Sequence, residues 1–244
     1  VCVFMNVTYN KFVHTMRLDL YLVREKLVTS RSRAQRAIKS GFVAVDGSTI
    51  LKPSFDVTGV NIVIVAASVD MPAGYWKLKG IQEAFELIKI GDVVLDIGSS
   101  AGGFLWYAAE FAERVYAIEF SSSFKQLLDV VVEHYYDKVR LIYADAFSFD
   151  FMSLGVDFDV ILNDVTAAPK DSLELLLKSS AALKAGGRVL QVLKGKPKDR
   201  PVDDFLQRFE EFGFKTLKVI TGQKEEIYVI AEKWANETNA EEGI

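Results

Sequence analysis

From residue 93 onward the chain alternates short runs of branched apolar residues with segments of helical period, and this alternation leaves little choice of fold. Strand-length runs fall at 93–97, 115–120, 139–144, 160–163 and 189–193, and the pattern predicts helices at 78–89, 103–113, 122–133, 172–183 and 203–212. Strands separated by helix-length segments build a doubly wound parallel sheet with helices on both faces. A last pair of runs, 216–220 and 227–231, fits a hairpin of strands at one edge. Ligands of such sheets sit beyond the carboxyl ends of the strands, so the residues there are the ones to examine.

Directly after the first of these strands stands Asp96-Ile97-Gly98-Ser99-Ser100-Ala101-Gly102-Gly103-Phe104. Glycines allow close backbone approach, and the helix start behind them offers N–H groups without intrahelical acceptors. The spacing is Gly-x-x-x-Gly-Gly, so the dinucleotide fingerprint Gly-x-Gly-x-x-Gly is not met. Glu119 closes the second strand, about twenty residues on, where a carboxylate can accept both ribose hydroxyls. Asp145 ends the third, placed to accept from an adenine amino group. A glycine loop alone fits a plain turn equally well. An acidic residue at each of three successive strand ends is harder to assign to structure, and the set looks like the S-adenosylmethionine site of Rossmann-like methyltransferases, with a nicotinamide enzyme as a distant second.

Four further polar residues lie at ends of elements that would carry them to one pocket: Lys77 in Tyr-Trp-Lys-Leu, Asp164 in Ile-Leu-Asn-Asp-Val, Lys194 in Gln-Val-Leu-Lys-Gly and Glu226 in Glu-Glu-Ile-Tyr-Val-Ile. Taken singly, Lys77 reads as an exposed helix charge and Glu226 as an edge-strand charge. Composition narrows the chemistry. Cys2 is the only cysteine, which excludes an internal disulfide and thiolate zinc sites, and His14 and His134 are the only histidines. A serine–histidine hydrolase or a histidine-rich metal enzyme is therefore not expected, no metal is called for, and proton transfer falls to Lys, Asp, Glu or Tyr.

The net charge of −4 conceals an asymmetry: residues 1–67 hold nine Lys/Arg against four Asp/Glu (+5), and residues 68–244 hold twenty against twenty-nine (−9). A basic piece on an acidic remainder suggests a polyanion-binding module. Within it the pattern predicts a helix at 17–26 and a second at 30–40 with Ser30 as N-cap and Gly41 as its end. A strand at 42–45 turning at Asp46-Gly47 and an apolar stretch at 60–65 follow. Residues 1–15 show no clean period and are expected to be an extension or a misplaced start.

Two resemblances sharpen this. Arg17-Leu-Asp, Ser30-Arg-Ser-Arg-Ala, Gly41-Phe-Val-Ala-Val-Asp-Gly and Leu51-Lys-Pro-Ser resemble the small α+β RNA-binding domain shared by ribosomal protein S-four and many pseudouridine synthases. The likeness implies that Arg17, Arg31, Arg33, Arg36 and Lys52 contact RNA phosphates, which positions RNA without reading sequence. Residues 75–233 resemble the FtsJ-type ribose 2′-O-methyltransferases, and the two-domain layout resembles the TlyA-type rRNA methyltransferases. Gly-Ser-Ser-Ala-Gly-Gly-Phe is nearer the TlyA pattern, whereas Lys194-Gly and Glu226-Ile-Tyr-Val-Ile-Ala are nearer FtsJ. By that resemblance Lys77, Asp164, Lys194 and Glu226 form a catalytic tetrad with Lys194 as general base. Asp96, Gly98, Ser99, Gly102, Gly103, Phe104, Glu119, Asp145 and Asp164 hold S-adenosylmethionine.

The chain departs from FtsJ in having Val-Thr-Ala-Ala-Pro after Asp164 and Pro72-Ala-Gly-Tyr-Trp, without the usual basic residues, directly ahead of Lys77, so RNA grip is expected to shift to the amino-terminal module and to Lys196, Lys198 and Arg200. Tyr75, Trp76 and Phe104 can stack on a flipped base or on adenine, or pack in the core. A ribose hydroxyl is a weak acid, so its methylation needs a base or strong oxyanion stabilisation. A lysine serves as base when burial or a second cation disfavours its charged form.

The expected organisation is thus an extension at 1–15, an RNA-binding domain at 16–67, a linker at 68–74, a methyltransferase domain at 75–234 and a flexible tail at 235–244. The expected activity is methylation of an RNA ribose 2′-hydroxyl, most readily in rRNA, with tRNA as an alternative substrate. A non-catalytic ribosome-assembly factor is the competing reading. It would show decay of the tetrad, which is intact. A membrane-lysing role would need an apolar membrane segment, and the longest strongly apolar run, 60–68, is too short. With no charged, leucine-rich leader at its start, the chain is expected in the cytoplasm.

Overall fold

A computed structural model describes residues 5–9, 15–58, 62–66, 71–194, 202–222 and 226–234. The chain divides into two units, residues 1–72 and 73–244.

The first unit runs β1 (Met5–Tyr9), α1 (Leu18–Arg24), α2 (Arg31–Lys39), β2 (Val43–Val45), β3 (Ser48–Thr49) and β4 (Ile62–Ala66). The strands form an antiparallel sheet in the order β1-β4-β2-β3. Residues 5–9, expected as part of an extension, instead pair along β4 from Met5 opposite Ala66 to Tyr9 opposite Ile62. The five residues alternate apolar and polar, Met5, Val7 and Tyr9 against Asn6 and Thr8, but the run is short and its partner β4 lies more than fifty residues on. Ser30 caps α2 as expected, its hydroxyl accepting from the Arg33 N–H. Asp46 and Gly47 both have positive φ, the geometry of a type I′ hairpin turn. Leu18, Leu22, Ala34, Ile38, Val43, Val45 and Val63 close the core between helices and sheet.

The second unit continues with α3 (Ala73–Ala84), β5 (Val93–Ile97), α4 (Gly103–Phe111), β6 (Arg114–Glu119), α5 (Lys125–His134), β7 (Val139–Tyr143), β8 (Phe158–Asn163), α6 (Pro169–Ser179), β9 (Leu183–Leu193), α7 (Val202–Glu211), β10 (Phe214–Thr221) and β11 (Ile227–Lys233). Its sheet has the order β10-β11-β9-β8-β5-β6-β7. β7, β6, β5, β8 and β9 are parallel neighbours, and β11 and β10 add antiparallel to β9 as the expected hairpin. The chain leaves β5 toward β6 and β7, then returns to lay β8 on the other side of β5. The crevice between β5 and β8 is therefore a topological switch point, the place where such sheets take ligands.

Burial explains the elements. Val94, Leu95, Ile97, Val160, Ile161, Leu162, Val189 and Leu190 are wholly buried, as strands covered on both faces must be. Phe205, Phe209 and Phe214 bring α7 onto the sheet. Helix boundaries shift by up to five residues, as in α6 at Pro169–Ser179 against 172–183, and most at α3, which begins at Ala73 rather than 78, so Ala73 and Gly74 belong to the helix and not to a joint. The reason is a contact invisible in sequence. Tyr75, Leu78 and Ile81 are buried on one face, and at its carboxyl end Gln82 turns back to accept from the Leu87 and Ile88 N–H groups and to donate to the Ile88 carbonyl, ending the helix before 89.

The start of α3 lies directly on the start of α4. A Cβ on Gly103 would stand 2.6 Å from the Tyr75 nitrogen and 2.7 Å from the Gly74 Cα. These are backbone atoms and cannot swing away. Gly103→Ala is expected to lower stability by about 1–3 kcal/mol and to displace α3, measurable by denaturant unfolding; an unchanged midpoint would show that the two helix starts have room to part.

Candidate active site

The turn after β5 is tight because three of its residues sit at positive φ: Gly98 at 82°, Ser100 at 50° and Gly102 at 76°. Gly98 also faces the loop after β8, where a Cβ would stand 3.1 Å from a Val165 methyl. Several N–H groups of the turn are already used: those of Gly98 and Ser99 donate to the Ile118 carbonyl, and that of Gly102 to Ser99. The Ser100 N–H donates to Glu119 Oε2 at 2.7 Å, and the Ser121 N–H to Glu119 Oε1 at 2.7 Å. The loop thus aims Glu119, a buried carboxylate, rather than offering all its amides outward. Each Glu119 oxygen keeps a further lone pair. Helix α4 starts at this turn, with first-turn N–H groups that have no intrahelical acceptor.

Asp96, one residue before the end of β5, is 1% exposed, and its Oδ2 has no hydrogen-bond partner among the described residues. Burial, with Asp164 and Glu119 adding like charge, pushes its carboxyl up to about 7. Asp145 lies two residues past β7, is exposed, and accepts from the Phe147 N–H at 3.0 Å. The sequence reading passed over Phe120 and Phe147, which are 78% and 48% exposed beside Glu119 and Asp145. Large apolar side chains next to acidic strand ends were the available signal.

The four scattered polar residues do come together. Lys77 Nζ, from α3, lies 2.8 Å from Asp164 Oδ2 and 2.9 Å from Glu226 Oε2. Lys194, just past β9, lies 2.9 Å from Asp164 Oδ1, donates to the Asp164 carbonyl at 2.7 Å and to Thr166 Oγ1 at 3.1 Å. Tyr228 Oη donates to Glu226 Oε2 at 3.0 Å. Lys77 also stands 5.7 Å from the centre of the Phe104 ring and 5.8 Å from that of Tyr228, so each face of the ammonium meets a carboxylate or a π-cloud. Burial by itself would lower the Lys77 pKa, but Asp164 first and Glu226 after it outweigh that, and the net shift is upward. Mutual repulsion of the lysines was expected to weaken the charge; for Lys77 the two carboxylates win, and it is a fixed cation.

Two amides that the sequence reading missed hold this cluster from behind. Asn163 and Gln191 are fully buried and opposite each other on β8 and β9. Asn163 Nδ2 donates to Gln191 Oε1 at 2.8 Å and to the Ser172 carbonyl at 3.0 Å, and Gln191 Nε2 donates to Ser172 Oγ at 2.7 Å. They precede Asp164 by one residue and Lys194 by three, so they lock the strand register that brings those side chains together. An amide in each of two otherwise apolar runs, 160–163 and 189–193, was the legible sign.

In the first unit, Asp19 is wholly buried and accepts from Arg17 Nε at 2.9 Å, Arg31 Nε at 3.1 Å and Gln35 Nε2 at 2.9 Å. The Arg17 hydrogen bond, with those of Gln35 and Arg31, holds its carboxyl well below the usual range against the opposing effect of burial. Arg17 and Arg31 are thus anchored through one edge while their side chains stay 43% and 54% exposed. Arg33 donates to Thr29 Oγ1 at 3.0 Å, Arg36 is half-buried and Lys52 is exposed. Lys196, Lys198 and Arg200 lie outside the described residues. No group of three or more His, Cys, Asp or Glu suited to a metal occurs among the described residues, and no described helix is long and apolar enough to cross a membrane.

Comparison with known proteins places these features in families. The S4 domain profile matches residues 16–62, and the FtsJ-like methyltransferase profile matches residues 73–234. Over 91 residues the chain is 37% identical to the 16S/23S rRNA (cytidine-2′-O)-methyltransferase TlyA of Mycobacterium tuberculosis, covering 36% of this chain and 34% of that protein. An uncharacterized protein of Methanocaldococcus jannaschii is 28% identical over 166 residues, 64% of this chain and 45% of that one. The chain therefore spans about a third of the curated rRNA methyltransferase it matches and under half of the archaeal protein. Among solved structures, one titled a hemolysin from Streptococcus thermophilus superposes with a TM-score of 0.53 at 20% identity, covering 91% of this chain and 90% of that one. Aeropyrum pernix fibrillarin, with natively bound S-adenosyl-L-methionine, gives 0.57 at 18% identity over 70% of this chain and 78% of that one. At these identities the likeness is one of fold.

Asp96 yields a pH test. A carboxyl raised from about 3.9 unfolded to about 7 folded binds more protons in the native state between those values. Its stabilising contribution is complete below the unfolded value and is lost as pH rises through 7, a change on the order of a few kcal/mol. Asp96→Asn should therefore gain on the wild type in melting temperature between pH 5 and pH 8. A difference that stays constant over that range would show that Asp96 is charged throughout.

Proposed function

The chain belongs to the FtsJ-like methyltransferase family, and we propose that it transfers a methyl group from S-adenosylmethionine to the 2′-hydroxyl of a ribose in RNA, with ribosomal RNA as the substrate. The observation that carries this reading is the Lys77–Asp164–Lys194–Glu226 cluster, closed by contacts of 2.8–2.9 Å at the switch point beside the Asp96 turn. A base-modifying enzyme would have no need of two lysines and two carboxylates arranged around an incoming alcohol.

The residues present fit the cofactor. Asp96 offers a buried carboxyl oxygen without a partner, beside a turn whose Gly98 and Gly102 have no Cβ to obstruct approach. Glu119, held by two backbone N–H groups, presents free lone pairs to ribose hydroxyls. Phe120 and Phe147 offer apolar faces for adenine near Asp145. When bound, S-adenosylmethionine supplies an electrophilic methyl group on a sulfonium.

Lys194 in its neutral amine form would accept the 2′-hydroxyl proton and pass it to solvent, while bound S-adenosylmethionine would supply the methyl group that the oxygen takes up. Asp164 keeps Lys194 aimed, and Lys77, tied to Asp164 and Glu226, remains a cation that stabilises negative charge developing on the oxygen. Holding alcohol and methyl in line supplies much of the remaining acceleration. The S4 domain supplies the RNA grip: Arg17 and Arg31, fixed by Asp19, direct their remaining N–H groups outward with Arg33, Arg36 and Lys52 as a phosphate-binding set.

Labelled S-adenosylmethionine incubated with ribosomal subunits and, separately, total tRNA tests this. Nuclease digestion should locate the label on ribose, and Lys194→Ala should cut the rate by about a hundredfold or more. Label on a base, or transfer undiminished in Lys194→Ala, would overturn the tetrad mechanism; label on tRNA alone would move the substrate class.

A further inference from the structure

Lys194 donates two hydrogen bonds, to the Asp164 carbonyl at 2.7 Å and to Thr166 Oγ1 at 3.1 Å, and makes an ion pair with Asp164 Oδ1 at 2.9 Å that lacks hydrogen-bond geometry. The three contacts are not equal. Both Asp164 contacts are shorter, and Asp164 is itself held in place by Lys77. The Thr166 contact is the longest, joins a neutral acceptor and lies at an exposed position. It is the one to break.

Thr166 Oγ1 is also an aliphatic hydroxyl, the functional group of the proposed acceptor. Its position is set by the neighbouring residue: Val165 packs against Gly98 of the turn after β5, where any Cβ would stand 3.1 Å from a Val165 methyl and 3.5 Å from its Cα. The loop after β8 is therefore seated on the cofactor turn, with Thr166 placed on the open side of Lys194.

We propose that the Thr166 hydroxyl is a placeholder for the acceptor hydroxyl, an internal alcohol that keeps Lys194 aimed until the ribose 2′-hydroxyl displaces it. This rests on the reading of the site as a ribose methyltransferase and names a residue that tunes acceptor engagement. Displacement exchanges one lysine–alcohol hydrogen bond for another, so Lys194 stays oriented throughout. Thr166 then competes with substrate and takes no part in the transition state.

The test is steady-state methyl transfer to the ribosomal subunit that the wild-type protein labels, for Thr166→Val, which keeps the shape and loses the hydroxyl, and Thr166→Ser, which keeps the hydroxyl. Thr166→Val should lower KM for RNA about threefold with kcat within about twofold, the scale of one neutral hydrogen bond. Thr166→Ser should track the wild type, and the Kd for S-adenosylmethionine should be unchanged in both. A fall in kcat of tenfold or more for Thr166→Val would mean that Thr166 is needed in the transition state and would overturn the placeholder role. An unchanged or raised KM would overturn it too. Failure of the underlying reading looks different: wild-type protein that labels bases, or no ribose at all, would remove both proposals together.

Discussion

One carboxylate shared by two ammonium groups organises the catalytic unit. Asp164 offers Oδ2 to Lys77 and Oδ1 to Lys194, and each lysine arrives on a different element. Taking two lysines and two carboxylates this far out of water is unfavourable unless every charge finds its counterpart. That condition dictates much of the surroundings. α3 must lie close enough to deliver Lys77, which it does by resting on Gly103. β11 must lie beside β9 to deliver Glu226. β8 and β9 must keep register, which the Asn163–Gln191–Ser172 network enforces.

The same crowding explains the charge states. Lys77, between two carboxylates, is held protonated in spite of burial, whereas Asp96, deeper and facing Asp164 and Glu119, is pushed toward its neutral form. Two acidic side chains within one site thus meet different surroundings: Asp164 pairs with Lys77 and Lys194, and Asp96 is left with an unpartnered oxygen. In the S4 domain the arrangement is inverted. A single buried carboxylate, Asp19, holds two arginines by one edge, which fixes exposed cations with little loss of reach.

Much of this was legible in the chain. β5 falls at Val93–Ile97 as the apolar run requires, and the parallel core of the sheet, the edge hairpin and the Ser30 cap follow from local pattern. Lys77, Asp164, Lys194 and Glu226 were identifiable as the group that meets, by resemblance and by their places at element ends. What escaped were residues whose significance depends on a neighbour distant in sequence. β1 is a short alternating run whose partner β4 lies far along the chain, Gln82 ends α3 only because the chain folds back at Leu87, and the amides of Asn163 and Gln191 matter because they are opposite each other. That Arg17 and Arg31, expected as phosphate contacts, each also bind Asp19 was likewise not visible along the chain.

The sequence by itself determined the alternation of elements, the glycine turn, and which polar side chains stand at strand ends, because those are set by local periodicity and by where apolar runs stop. Only the tertiary structure decided how the charges pair, which oxygen is left over at Asp96, and that Thr166 accepts a hydrogen bond from Lys194. Those depend on register and spacing between strands far apart in the chain, at distances of about 3 Å where a slip of one residue would turn each side chain to the opposite face.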